Sequence, residues 1–336
     1  MNQKRNIVIV SIFGLTAAVL LLAPFVGIET ITLQEVVRPA AGGTGADIFW
    51  RIRVPRVLTA FCAGAALALS GMAFQAMFRN PLATPFTLGV SSGAAFGASL
   101  YVVTGIVFSI GPVSGQSLSA FVWAAMAILI VYGLTRVRRG SSTATMLIAG
   151  VAVNFFFSSF ILFIQYISDF TRSFRVIRWL MGGFEIVGYE PVTTILPFVI
   201  TGSFVIFALT NELNVLTLGE DIALSRGVPV RRVKTALFFA TSLMVGSIVS
   251  VCGPIGFVGM MAPHICRLLV GYDHRYLAPA TCVFGGAFLV LCDALARSLI
   301  PPAEIPVGVI TALLGGPFFL WLLLRRSREG GQMGDL

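Results

Sequence analysis

Charge is what this sequence has least of. Asp, Glu, Lys and Arg together make up 11% of 336 residues, against roughly 25% in a soluble domain. Hydrophobic residues reach 57%, with a mean hydropathy of +0.93. That excess of apolar surface excludes an ordinary soluble globule. Histidine is nearly missing: His264 and His274 are the only two. Neither sits in an H-E-x-x-H or triad-like arrangement, so enzyme chemistry has no foothold. His264 follows Pro263, where packing or helix capping is its default role. No G-x-x-x-x-G-K-[ST] phosphate loop occurs, so any ATP used for work must be bound by another chain. The five cysteines (Cys62, Cys252, Cys266, Cys282, Cys292) are scattered without C-x-x-C spacing, which argues for small packed residues and no metal cluster. Carboxylates are almost absent from the apolar runs. An ion-coupled carrier acting alone places ionisable groups at mid-membrane. Asp293 is the main candidate, yet it lies four residues before Arg297, an i,i+4 pair that satisfies both charges locally.

Long apolar runs are what the sequence has in abundance. About ten stretches approach the roughly 20 residues needed to span a bilayer: 7–27, 57–77, 86–108, 118–135, 144–165, 191–210, 235–252, 254–269, 277–298 and 306–324. The expected fold is therefore an all-α polytopic membrane protein. Lys4 and Arg5 precede the first run as in a secretory signal, but the run is long and lacks a small-residue cleavage site, which favours a retained helix.

With ten spans and the amino terminus inside, fifteen of the 23 Lys and Arg fall on the inner face and eight on the outer. That bias follows the positive-inside rule and places both termini in the cytoplasm. The basic balance then reflects topology and anionic membrane lipid, with no nucleic-acid partner. Among the outer arginines, Arg53 and Arg56 in RVPR share a helix face at the start of the second span. They read either as snorkelling anchors or as a cationic platform for an acidic partner. Arg172, Arg175 and Arg178 repeat every three residues and suggest a short interfacial helix.

Several segments interrupt the helical pattern. Gly253–Leu269, GPIGFVGMMAPHICRLL, carries two prolines and three glycines among apolar residues; such breaks are tolerated in hydrocarbon only where freed backbone groups meet protein or line a cavity. Asn80–Pro81–Leu82 marks a turn. Ser141, Ser142 and Thr143 open the fifth span with N-cap chemistry. The inner loop 211–234, NELNVLTLGEDIALSRGVPVRRVK, has Gly219 before an acidic turn and fits two short helices with a break between them along the membrane surface, either as a lipid-bound connector or as a docking surface for a soluble engine. Phe155, Phe156, Phe157, Phe160 and Phe163 nearly encircle their helix, so most must face lipid or neighbouring spans.

Four blocks in order resemble the FecCD-type permeases, membrane subunits of binding-protein-dependent ATP-driven importers for iron chelates, haem and cobalamin. They are RVPRVLTAFCAGAALALSGMAFQAMFRNPLATPFTLGVSSGAAFGA, LTLGEDIALSRGV, GPIGFVGMMAPHICRLLVGYDHRYLAP and DALARSLIPPAEIPVGVITALLGGPFFLWLLLRR, covering most of the chain from Val54. The resemblance implies a type II importer permease fold of ten helices and a single domain over 1–336. It also implies a homodimer, two cytoplasmic ATPase subunits, a periplasmic or lipid-anchored substrate-binding protein, and a place in a bacterial or archaeal inner membrane. No cofactor is expected. By motif position, Arg53, Arg56 and Arg297 would dock the binding protein. Leu218, Gly219, Glu220, Ala223 and Gly227 would belong to the ATPase coupling loop. Asn80, Leu82, Ser142 and Thr143 would form the cytoplasmic gate. An iron chelate, siderophore or haem is the leading cargo, with cobalamin next and molybdate or tungstate less favoured; an ion-coupled secondary carrier is the rival of a different class.

Overall fold

The computed structural model describes residues 2–37, 44–111, 113–137 and 143–331. The chain is a bundle of helices: α1 (Asn2–Leu22), α2 (Leu33–Val37), α3 (Thr44–Asp47), α4 (Val54–Phe78), α5 (Val90–Thr104), α6 (Gly115–Val137), α7 (Thr143–Ile167), α8 (Phe170–Leu180), α9 (Glu190–Ala208), α10 (Thr210–Leu216), α11 (Glu220–Ser225), α12 (Val230–Cys252), α13 (Val258–Val270), α14 (His274–Ser298) and α15 (Val307–Gly331). A wide helical turn, Ile48–Arg53, joins α3 to α4. Among the described residues, the departure from helix and turn is a two-residue antiparallel pair, β1 (Ser109–Ile110) with β2 (Val113–Ser114).

Seven helical stretches are long and apolar enough to cross a membrane, and three further apolar helices, Val90–Thr104, Val258–Val270 and Val307–Leu322, are shorter. Each run expected from sequence thus meets an apolar helix, but some are trimmed. The run at 86–108 loses its start because Pro85 opens a separate turn that ends at Gly89. The run at 254–269 begins as a helix only at Val258, since Gly253, Pro254 and Gly256 hold the preceding strand of chain out of helical geometry. Missing N–H groups and glycine freedom break helices in this way.

α4 is the central helix. Its Ala- and Gly-rich sequence is buried on almost every side, from Pro55 to Phe78. Small residues let neighbouring backbones approach closely, which is how membrane helices gain packing where lipid supplies no hydrophobic drive. One such close approach joins α4 to α14: a Cβ added at Gly64 would lie 2.3 Å from the carbonyl oxygen of Gly285. α7 shows the opposite character. Of its phenylalanines, Phe157 is buried, whereas Phe155, Phe156, Phe160 and Phe163 are exposed on the bundle surface.

Gly64→Val should therefore lower the thermal stability of the purified protein in detergent by about 1–3 kcal/mol, the range for overpacking a filled core. Gly14→Val, at a position with open space around it, should leave the unfolding midpoint unchanged.

Candidate functional site

Polar groups gather at the two ends of the bundle and at one break in its middle. At one end, α4, α14 and the chain flanking them bring three arginines and two acids together. Arg56 Nε donates to Asp293 Oδ1 at 2.9 Å, and Arg56 Nη1 donates to Glu304 Oε2 at 2.7 Å. Arg297 Nε lies 3.1 Å from Asp293 Oδ2, the i,i+4 pair expected from sequence. Its Nη1 donates to the Val26 carbonyl at 2.9 Å. Arg53 donates to the carbonyls of Pro24, Phe25 and Glu29, at the end of α1.

This geometry corrects the picture of an outward-facing arginine platform. Arg53, Arg56 and Arg297 are 5%, 7% and 4% exposed, and Asp293 is fully buried. Arg53 and Arg56 do not act as one face: the first turns to α1, the second to α14. The physical reason is that a guanidinium this deep must have its charge and its donors satisfied inside the protein. The exposed arginines of this end are Arg51, paired with Asp47 at 3.2 Å, and Arg178, paired with Glu185 at 2.6 Å. Arg175 is exposed as well. Arg175 and Arg178 lie on α8, the short helix anticipated at the arginine repeat. Asp169 caps α8 by accepting from the Arg172 backbone N–H at 2.9 Å, a bond that holds its carboxyl below the ordinary carboxylate range. Arg172 Nη1 donates to the Val103 carbonyl and ties α8 to the end of α5.

Beside the cluster opens a cavity of about 520 Å³, with Arg56, Arg175, Arg178, Trp179, Glu185 and Glu304 in its wall. A second cavity, about 310 Å³, lies deeper, between Leu67, the turn Thr84–Thr87, Asn154 and Phe257. Here the broken segment meets the chain that follows α4. Phe257 stands at φ 67°. Asn154 Nδ2 donates to the carbonyls of Phe86 and Thr87 at 3.1 and 3.4 Å, and Gln75 Nε2 donates to the Gly259 carbonyl at 3.3 Å. The side-chain amides thus add partners to backbone carbonyls where the helical ladders are interrupted. Sequence reasoning passed over Asn154; a lone Asn inside a long apolar run was the available signal.

At the opposite end lies the segment 211–234. It folds as two short helices, α10 and α11, with the break at Gly219, whose φ of +131° excludes most side chains. Ala223 is buried at 0% exposure, and Gly227, at φ 79°, closes α11 by donating to the Leu224 carbonyl at 2.9 Å. Glu220 is 2.5 Å from Lys234 Nζ on α12. Leu218, Ile222 and Leu224 are exposed, so a firmly closed turn presents apolar side chains outward. The end of α4 reaches this turn: Arg79 Nη1 lies 3.7 Å from where a Cβ on Gly219 would stand. Next to it, Asn80 Oδ1 accepts from the Leu82 N–H at 2.9 Å, and Leu82 is exposed. Thr143 opens α7, whereas Ser142 lies outside the described residues. Asn80 and Leu82 are thereby brought beside the two-helix segment. The three arginines lie at the far end of the bundle. Among the described residues, no group of three His, Cys, Asp or Glu could hold a metal ion.

Residues 15–325 match the FecCD transport family. The chain is 39% identical over 289 residues to the hemin transport system permease protein HmuU of Yersinia pestis, covering 84% of each chain. It is 42% identical over 290 residues to the cobalamin import system permease protein BtuC of Halobacterium salinarum, covering 85% of this chain and 75% of that one. Among solved structures, a metal-chelate type ABC transporter in an inward-facing conformation superposes with a TM-score of 0.83 at 31% identity, over 95% of this chain and 99% of that one.

The buried cluster sets a stability prediction. Asp293→Asn leaves Arg56 and Arg297 without their shared acid and should destabilise the detergent-solubilised protein by about 3–5 kcal/mol, as for breaking a buried ion pair. Glu185→Gln, which removes the exposed partner of Arg178, should change it by about 0–1 kcal/mol. Equal losses in a thermal unfolding series would contradict the burial described here.

Proposed function

The chain belongs to the FecCD transport family, and from that premise we propose that it is the permease subunit of an ATP-driven importer for an iron chelate or haem. The observation that carries this reading is the similarity, over more than four-fifths of the chain, to permeases of haem and cobalamin import. Membership makes it a multi-pass transport subunit. All ten apolar helices would cross or enter the bilayer, with both termini in the cytoplasm, and 1–336 would form one permease domain of the type II importer fold in a bacterial or archaeal inner membrane. The end bearing 211–234 then faces the cytoplasm, in keeping with the positive-inside bias.

In this reading two copies of the chain pair around a central pathway. Two ATPase subunits seat on the cytoplasmic loops, and a binding protein delivers cargo from outside. Leu218, Gly219, Glu220, Ala223 and Gly227 shape the contact with the ATPase: the glycines and Ala223 fix the turn, Glu220 anchors it through Lys234, and exposed Leu218 offers apolar area. Asn80, Leu82, Ser142 and Thr143 border the cytoplasmic gate. Arg53, Arg56 and Arg297 act in docking from beneath the surface: Arg56 stands in the wall of the outer cavity, beside Arg175 and Arg178, and Arg53 and Arg297 brace the chain behind it, so that this end offers an acidic partner a fixed basic surface. Binding energy for a bulky cargo resides on the external protein, so the pathway itself needs no dense polar site.

Cobalamin is the second reading, favoured by the similarity to the archaeal cobalamin permease. Uptake of labelled haem, ferric siderophores and cobalamin, compared in cells with and without the gene, tests the proposal. Gene-dependent uptake of an iron ligand is expected. Uptake of cobalamin alone would move the assignment to the second reading, and no gene-dependent uptake of any of the three would contradict both.

A further inference from the structure

Asn214, in the middle of α10, commits its whole amide group to the start of α14. Its Nδ2 donates to Asp273 Oδ1 at 2.8 Å. Its Oδ1 accepts from the His274 backbone N–H at 2.8 Å and also lies 2.8 Å from His274 Nδ1, which assigns the ring proton to that nitrogen. Asp273 is the N-cap of α14 and accepts from the Arg275 N–H at 3.1 Å. The Arg275 guanidinium, 2.7 Å away, holds the Asp273 carboxyl well below the usual carboxylate range. Asp273 thus stays a charged acceptor for Asn214. His274 is 3% exposed. One turn of chain further on, the Arg5 guanidinium stacks 3.6 Å from the Tyr276 ring and presses α1 onto the same helix end.

The position of this contact gives it consequence. α14 has 25 residues, so at 1.5 Å per residue it runs roughly 37 Å. Its far end carries Asp293 and Arg297, two members of the buried arginine–acid cluster. Between the two ends, the close approach of Gly64 and Gly285 locks α14 to α4. Directional hydrogen bonds between a short helix and the capping turn of a long one transmit displacement better than an apolar contact that can slide.

We infer that Asn214 is a positioning residue of the transport cycle: through Asp273 and His274 it latches the first helix of the cytoplasmic loop to α14, so that movement of the loop is carried along α14 to the cluster at the outer end. The inference rests on the importer reading and adds to it a specific route by which the loop acts.

The test uses the whole transporter, this chain with its ATPase and binding protein in liposomes, probed with haem and with cyanocobalamin. The quantity read is cargo carried per ATP hydrolysed. Asn214→Asp places a second carboxylate against Asp273 and should lower that ratio by roughly tenfold while the assembled complex keeps hydrolysing ATP. The reciprocal pair Asn214→Asp with Asp273→Asn restores one donor and one acceptor, with asparagine an equally good helix cap, and should recover most of the ratio. Asn214→Ala gives the same loss without added charge if the aspartate variant does not assemble. An unchanged ratio in both single variants, or no recovery in an assembled swap, would overturn the latch. Uptake by the wild type without any ATP hydrolysis would instead overturn the importer reading.

Discussion

Hydrocarbon supplies no hydrogen bonds, and every other feature of this chain follows from that constraint. Each backbone or side-chain polar group placed within the bilayer must find its partner in the protein. Charge is accordingly sparse and driven to the bundle ends. Where charge is buried it is bundled, as in Arg56, Asp293 and Arg297, with exposed Glu304 pairing Arg56 from outside and further donors spent on the carbonyls beyond the end of α1. Beside the helix breaks, side-chain amides reach the backbone: Gln75 donates to the Gly259 carbonyl in the first turn of α13, and Asn154 to the Phe86 carbonyl in the turn after α4.

The same architecture directs where work must enter. α4 and α14 run in contact between the two polar ends, α4 from Arg56 to Arg79 and α14 from the Asp273 cap to Arg297. The two-helix turn at 211–234 meets both of them, through Arg79 near Gly219 and through Asn214 at the α14 cap. A force applied to that turn has two stiff paths across the bundle. In the proposed importer, ATP-bound engines need only favour one arrangement of those helices over another, and the cargo follows the resulting shift in access.

The apolar helices were legible in the sequence because length and apolarity mark them, although three are shorter than a full span, and the turn at 211–234 because Gly219 and Gly227 punctuate it. Helix ends near Pro85 and Pro254 were misjudged by a few residues, since hydropathy does not register where backbone geometry fails. The arginines show a deeper limit. Their number and spacing were visible, but Arg56 finds Asp293 at a separation of 237 residues, and no local pattern announces that pairing or the arrival of Glu304. Burial therefore inverted the expected exposure of Arg53, Arg56 and Arg297. Asn154 and Asn214 were overlooked for a related reason: each acts on backbone or on a cap distant in sequence, and a single amide in a run gives little sign of what it will meet.

In the proposed importer, transport through this bundle is powered by ATP hydrolysed on another chain. Haem and cobalamin accumulation in sealed membrane vesicles, with ATP supplied on the cytoplasmic side and proton and sodium gradients collapsed by ionophores, tests it most directly. Accumulation should persist without gradients and stop when hydrolysis is blocked. Accumulation that proceeds without ATP and disappears when the gradients are collapsed would contradict it.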